Sequence, residues 1–168
     1  MQAAVQMTGA NWVRLRTLLK HARKDPVRKA LEQMGLYLAA RVQQNIRNGR
    51  IGNQRIRANA PATIAKKRSR KPLIDTAVML GSIQTWQGES QNVQRVGIPA
   101  GLRHSDPRRE IAQVAIFHEG GTVLTEARPF LLPTVLLEFD RLREMMASIM
   151  GIHLRLSLSE YTAAVVRR

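Results

Sequence analysis

The sequence predicts an α+β fold: a small antiparallel sheet packed against a long helix of the N-terminal half and a C-terminal helix, with a basic loop and a C-terminal extension. Three observations predict it. Val27, Leu31, Met34, Leu38, Val42 and Ile46 recur every three or four residues, the buried stripe of one long helix. Residues 83–87 and 93–98 alternate in strand fashion on either side of turn formers, as an antiparallel hairpin does. Helices and short strands then mix without the strand–helix–strand rhythm of a parallel sheet.

At 168 residues the chain fits one domain, with its core over about 26–150, able to bury roughly two-thirds of its unfolded surface. Only seven residues are Phe, Trp or Tyr, so Leu, Ile, Val, Met and Ala must build that core. Cysteine is absent, which excludes disulfides, thiolate metal sites and Cys nucleophiles. No run approaches the ~18 apolar residues of a membrane span. Residues 1–11 lack a charged head followed by an apolar block, so no secretory signal is expected and the chain reads as soluble and made inside the cell.

Residues 12–23 read as a short basic helix with Trp12, Leu15, Leu18 and Leu19 on one side. Asp25 and Pro26 open the long helix: Asp caps, and Pro fills a first position where its missing N–H does no harm. Gly49 stops it. From Arg47 to Lys71 the periodicity ends; loop formers dominate, and residues 61–67 have room for two helical turns. At 71–83, Pro72 closes what precedes it, Asp75 caps a short helix, and Val78, Met79 and Ile83 turn inward. After the hairpin, Asp106-Pro107 repeats the cap-plus-proline start, and Ile111, Val114, Ala115 and Phe117 continue a helix to Gly120-Gly121. Residues 122–126 read as extended. Pro133 precedes a helix over 134–150 whose inner face is Val135, Phe139, Leu142, Met145, Met146 and Ile149, stopped by Gly151. Beyond it, Ile152, Leu154, Leu156 and Leu158 alternate with polar residues, the pattern of a half-buried strand.

Charge divides the chain. Residues 1–71 hold 17 Lys and Arg against 2 Asp and Glu, a net of +15; residues 72–168 hold 10 of each kind, a net of zero. Nine cations, Arg47, Arg50, Arg55, Arg57, Lys66, Lys67, Arg68, Arg70 and Lys71, occur in one stretch without an acid. Such a block is a solvated loop, a contact for a polyanion, or a dock for an acidic subunit. Few aromatics leave little to stack on bases, and neither zinc-finger spacing nor a basic zipper accompanies the block, so sequence-specific reading of DNA is not expected.

Catalytic chemistry finds no support. His21, His104, His118 and His153 stand at no metal-ligand spacing, and His118 and Glu119 diverge by about 100° on a helix. His104-Ser105-Asp106 has triad composition, but triad members converge from separate elements. Asp75 and Ser82 are explained by capping and turn roles. Gly9, Gly49 and Gly52 lack the companions of a phosphate-cradling loop. No catalytic, metal or cofactor-binding residue is assigned.

Three pieces in order carry a resemblance. They are Ala60-Pro61-Ala62-Thr63-Ile64-Ala65-Lys66-Lys67 with Lys71-Pro72-Leu73-Ile74-Asp75-Thr76 and Leu80-Gly81-Ser82-Ile83; Val114-Ala115-Ile116-Phe117-His118-Glu119-Gly120-Gly121; and Ala127-Arg128-Pro129-Phe130-Leu131. Together they resemble the virion-morphogenesis or tail-completion proteins of tailed bacteriophages, small neck components that join head to tail. Ala77 stands where that family usually has glycine, which implies a plain helical start here, and Gly81 replaces a basic or polar residue. The resemblance implies a non-enzymatic structural protein without cofactors, assembled in the host cytoplasm into a ring of copies of itself at the virion neck. Its implied partners are neighbouring neck, connector and tail proteins and the phage DNA passing through the lumen, with no membrane. In such a ring the basic block lines the lumen or clamps an acidic partner. Pro72, Leu73, Asp75, Thr76, Ser82, His118, Gly120, Arg128, Pro129 and Phe130 are implied to be structural. Arg128 either pairs with a carboxylate such as Asp75 or Glu119 or is a solvated turn residue.

Overall fold

The longest element, α1, spans Gly9–Asn48, 40 residues and roughly 60 Å at 1.5 Å per residue. The computed structural model describes residues 9–67, 70–73, 77–103 and 110–166, and side chains over 26–65, 70–73, 77–103, 110–152 and at 155. The expected break at Asp25-Pro26 does not occur: α1 runs through Pro26. An interior proline loses one hydrogen bond and costs about 3 kcal/mol. Good helix formers on both sides outweigh that single local signal. The stop is as expected: Gly49 adopts a left-handed φ of 65°, and its N–H reaches Ile46 O at 3.1 Å.

The segment read as a loop then folds into a hairpin, β1 (Arg50–Ile51) against antiparallel β2 (Gln54–Arg55). Two-residue strands are too short to show a period in sequence. Gly52, at φ 54°, supplies the tight turn. Helix α2, Pro61–Lys67, takes the two turns expected of it. A single helical turn, α3 (Val78–Gly81), follows at the junction. The capping expected of Asp75 lies outside the described residues. The plain start expected at Ala77 is corrected: Ala77 sits at φ 60°, ψ 3°, a left-handed conformation that favours glycine.

β3 (Gln84–Gln87) and β4 (Gln94–Gly97) form the second antiparallel hairpin, Gln84 opposite Gly97 and Gln87 opposite Gln94, as the alternation predicts. The strands thus make two separate hairpins, not one continuous sheet. The second lies on α1 at Gly35, where a Cβ would come 2.4 Å from Thr85 Oγ1, so the backbone approach needs glycine.

α4 spans Ile111–Gly120; the start expected at Asp106-Pro107 lies outside the described residues. Residues 122–126, expected to be extended, instead form a turn in which Thr122 and Thr125 exchange backbone hydrogen bonds. α5, Leu131–Val166, passes through Gly151, so neither the expected stop nor the strand over 152–159 exists. An alternating run contains i, i+4 pairs, and leucine favours a helix more than a strand.

The core joins Leu38, Val42 and Ile46 of α1 to Ile51, Ile56, Leu73, Met79, Leu80, Ile83, Ile111, Phe130 and Leu142. Antiparallel packing of α1 on α5 is fixed by polar pairs. Asn45 Nδ2 donates to Thr134 Oγ1 at 3.0 Å, and Tyr37 and Arg41 both donate to Glu138. Phe139, expected inside, is exposed, because Thr134, Glu138 and Leu142 occupy the inner face one turn apart. Among the described residues, no helix is long and apolar enough to cross a membrane.

Candidate functional site

The basic segment is held at both ends, and its described cations are exposed. Arg47 lies in the last turn of α1, Arg50 and Arg55 face each other across the β1–β2 register, and all three are exposed. Paired positions in an antiparallel ladder bring the two arginine backbones within about 5.5 Å. Arg50 Nε donates to Gly52 O at 3.1 Å, which holds the guanidinium over its own turn. Ile51 and Ile56 are the buried pegs beneath this hairpin. Asn59, also buried, donates from Nδ2 to Lys71 O at 3.0 Å and closes the loop that contains α2.

Arg57 is exposed and paired with Glu126 at 2.6 Å, an ion pair in water that contributes little to stability. Arg70 and Lys71 are exposed. Lys66 and Lys67 lie on α2 with side chains outside the described residues, and Arg68 is outside them altogether. The described cations of the segment therefore form an exposed basic surface on the folded β1–β2 hairpin and the stretches beside it.

The motif residues meet at one joint. Arg128 N donates to His118 O at 2.6 Å, tying the end of α4 to the turn before α5. The Glu119 carboxylate accepts the N–H groups of Phe130, Leu131 and Leu132 at 2.8, 3.0 and 2.8 Å. Those are donors at the start of α5 with no partner inside the helix, and a negative charge there also suits the helix dipole. Pro133, in that first turn, needs no such partner. Arg128 forms neither carboxylate pairing with Glu119 nor a purely solvated turn. Its Nε and Nη2 donate to the carbonyls of Arg57 and Ala58, both at 3.2 Å. Glu119 is occupied by backbone, so the guanidinium instead satisfies two carbonyls beside the basic segment. Phe130 is buried in the core, as is Leu73, which holds φ 60°. Pro72 is half-buried; Ser82 Oγ donates to Val78 O at 2.8 Å and closes α3. Gly120 ends α4, and Gly121, at φ 77°, leaves no room for a Cβ, which would lie 2.9 Å from Ala127 N. Asp75 and Thr76 are outside the described residues.

Sequence reasoning missed the capping role of Glu119 and the Tyr37–Arg41–Glu138 cluster. Both depend on partners 11 to 101 residues away, for which local patterning carries no signal. Burial disfavours the Glu138 carboxylate, but hydrogen bonds from Tyr37 and Arg41, with the charge of Arg41, outweigh it and hold the group below the ordinary carboxylate range. The same hydrogen bond, with burial, raises the Tyr37 phenol above its usual value. Among the described residues, no three His, Asp or Glu side chains are grouped to hold a metal.

Comparison with family models, with curated proteins and with solved structures gives no match for this chain.

Proposed function

We propose that this chain is a structural neck protein of a tailed phage, of the tail-completion type, which assembles as a ring between the head connector and the tail. The observation that carries the reading is the joint between His118-Glu119 and Arg128-Pro129-Phe130-Leu131. Two of the three resembling motif pieces are bound to each other there, by a backbone hydrogen bond and by the Glu119 cap on the start of α5. The basic segment, exposed beside that joint, suits the lumen of a ring that conducts DNA or the face of an acidic neighbour. Electron microscopy of particles assembled without the protein tests the reading: filled heads and separate tails are expected, and normally joined virions would refute it.

The exposed hairpin arginines support a second reading, a nucleic-acid-binding protein that uses residues 41–71 without sequence preference. Duplex DNA titrated at several salt concentrations separates the two. Tight binding by the monomer, with log affinity falling by about 0.9 per log unit of salt for each phosphate neutralised, favours this second reading. Negligible binding by the monomer favours the ring.

A further inference from the structure

The β1–β2 hairpin and the turn before α5 enclose a cleft of about 150 Å³. Ile51, Arg55, Ile56 and Arg57 line it from the hairpin side, Arg128 and Pro129 from the turn. Three of those side chains are cationic, and among the described residues no carboxylate lines the cleft. A cavity of roughly this size takes a benzene ring, so there is room for one phosphate group. The fold thus sets Arg128 beside two cations of the basic segment, of which Arg57 is 71 residues away in sequence.

Each of the three arginines has donors to spare. Arg55 is exposed and forms no hydrogen bond or ion pair among the described residues. Arg128 gives Nε and one Nη2 hydrogen to the carbonyls of Arg57 and Ala58. A guanidinium has five N–H groups, so those two bonds orient the fork and leave the others for a further partner. Arg57 Nε meets Glu126 at 2.6 Å, with the two side chains 62% and 60% exposed. Glu126 follows a turn in which Thr122 Oγ1 accepts the N–H groups of Leu124 and Thr125. An ion pair so open to water is weak enough for another anion to displace. Glu126 is thus a tethered anion already placed on the site.

Charge and shape select the occupant. Three guanidinium groups against one carboxylate leave two positive charges at the cleft. A planar carboxylate from outside would offer Arg57 only what Glu126 already supplies from within the chain. A tetrahedral phosphate presents oxygens in several directions and can meet guanidinium groups on both walls at once. In a nucleic acid the phosphates recur, and the exposed Arg47 and Arg50 belong to the same segment to meet its neighbours along the strand. We infer that this cleft seats one backbone phosphate of a nucleic acid, held by Arg55, Arg57 and Arg128 once Glu126 is displaced. A phosphate carries no base identity, so binding there is blind to sequence. The inference rests on the reading of the basic segment as a contact for DNA and names where that contact is made.

Nuclear magnetic resonance of the full chain, titrated with a short DNA duplex of mixed sequence, tests the inference. The exposed Glu89–Arg95 pair of the second hairpin is a control matched in charge. In the wild type the largest amide shifts are expected at residues 55–57 and 127–128. Glu126→Gln should tighten binding by about two- to fivefold, the worth of an exposed ion pair, and Glu89→Gln by clearly less. Arg55→Gln should weaken binding and lower the slope of log affinity against log salt by about 1, while Arg95→Gln leaves both nearly unchanged. All four substitutions alter exposed side chains, and amide spectra matching the wild type away from each site check the fold. Equal effects within each matched pair would overturn the cleft and leave a diffuse basic surface for DNA. If decaglutamate moves those amides and the duplex does not, the occupant is an acidic protein and the nucleic-acid assignment fails. If neither ligand moves any amide of the basic segment, the cleft and the polyanion reading of the segment fail together.

Discussion

Tyr37 donates its phenolic hydrogen to Glu138 Oε2 at 2.6 Å, across 101 residues of chain and between the two longest helices. Arg41 Nε donates to the other carboxylate oxygen at 2.7 Å. The carboxylate side chain is only 8% exposed, so the α1–α5 contact carries a charge inside it. The folded-state pKa of Glu138 lies below its unfolded value near 4.5, so its contribution is fully present above that value and is lost as pH falls through the folded pKa. Tyr37 is raised above 10.0, so its share is complete below about 10 and is lost as pH rises through its folded pKa. Glu138→Gln is expected to cost about 1.5–3 kcal/mol at neutral pH and to flatten the acid limb of stability against pH in urea melts. The Tyr37 absorbance titration should move back toward 10.0 in the variant. A variant with the wild-type acid limb would remove Glu138 from that role.

Gly35 decides whether the second hairpin can lie on α1. Alanine is the better helix former by about 1 kcal/mol, so Gly35→Ala should stabilise an isolated helix. Here the new Cβ would meet Thr85 Oγ1 at 2.4 Å and Gln94 Cγ at 2.9 Å. Overpacking against a stiff β-branched side chain should lower stability by about 1–3 kcal/mol. Adding Thr85→Ala removes the nearest atom, and the double variant should be more stable than the sum of the singles implies. Denaturant midpoints for the four proteins measure that coupling.

Ala77 holds a left-handed conformation that costs an L-residue about 1–2 kcal/mol. Glycine would relieve it while giving up part of the gain to greater freedom in the unfolded chain. Ala77→Gly should therefore stabilise by about 0.5–1 kcal/mol, read as a higher urea midpoint with unchanged slope. Destabilisation would mean that Ala77 does not hold this conformation in solution.

Glu119 serves α5 from a different helix, accepting three N–H groups at its start. Glu119→Ala leaves those donors without their acceptor and should cost about 1–3 kcal/mol. Glu119→Gln keeps one acceptor oxygen and should recover part of the loss. Hydrogen exchange gives the sharper readout: faster exchange is expected at the amides of Phe130, Leu131 and Leu132 in both variants, most in the alanine one.

What the sequence disclosed follows from what is local. The stripe of Leu38, Val42 and Ile46, the glycine stop at position 49 and the alternating hairpin are near-neighbour patterns, and each is present in the structure. Pro26 and Gly151 are equally local signals, yet helices pass through both. One or two unfavourable residues do not outweigh long runs of favourable neighbours. Phe139 misled because a pattern of hydrophobicity alone turns α5 the wrong way; polar residues at 134 and 138, matched to Asn45, Tyr37 and Arg41, fix its rotation. The cations of the candidate interface could be counted in sequence. Their presentation on a two-stranded hairpin could not, since strands of two residues leave no periodic trace.

The hydrogen bond from Asn59 to the Lys71 carbonyl turns the basic stretch into a handle with both feet planted. The two ends of the loop that contains α2 are thereby anchored to one another, so neither can shift alone without breaking that bond.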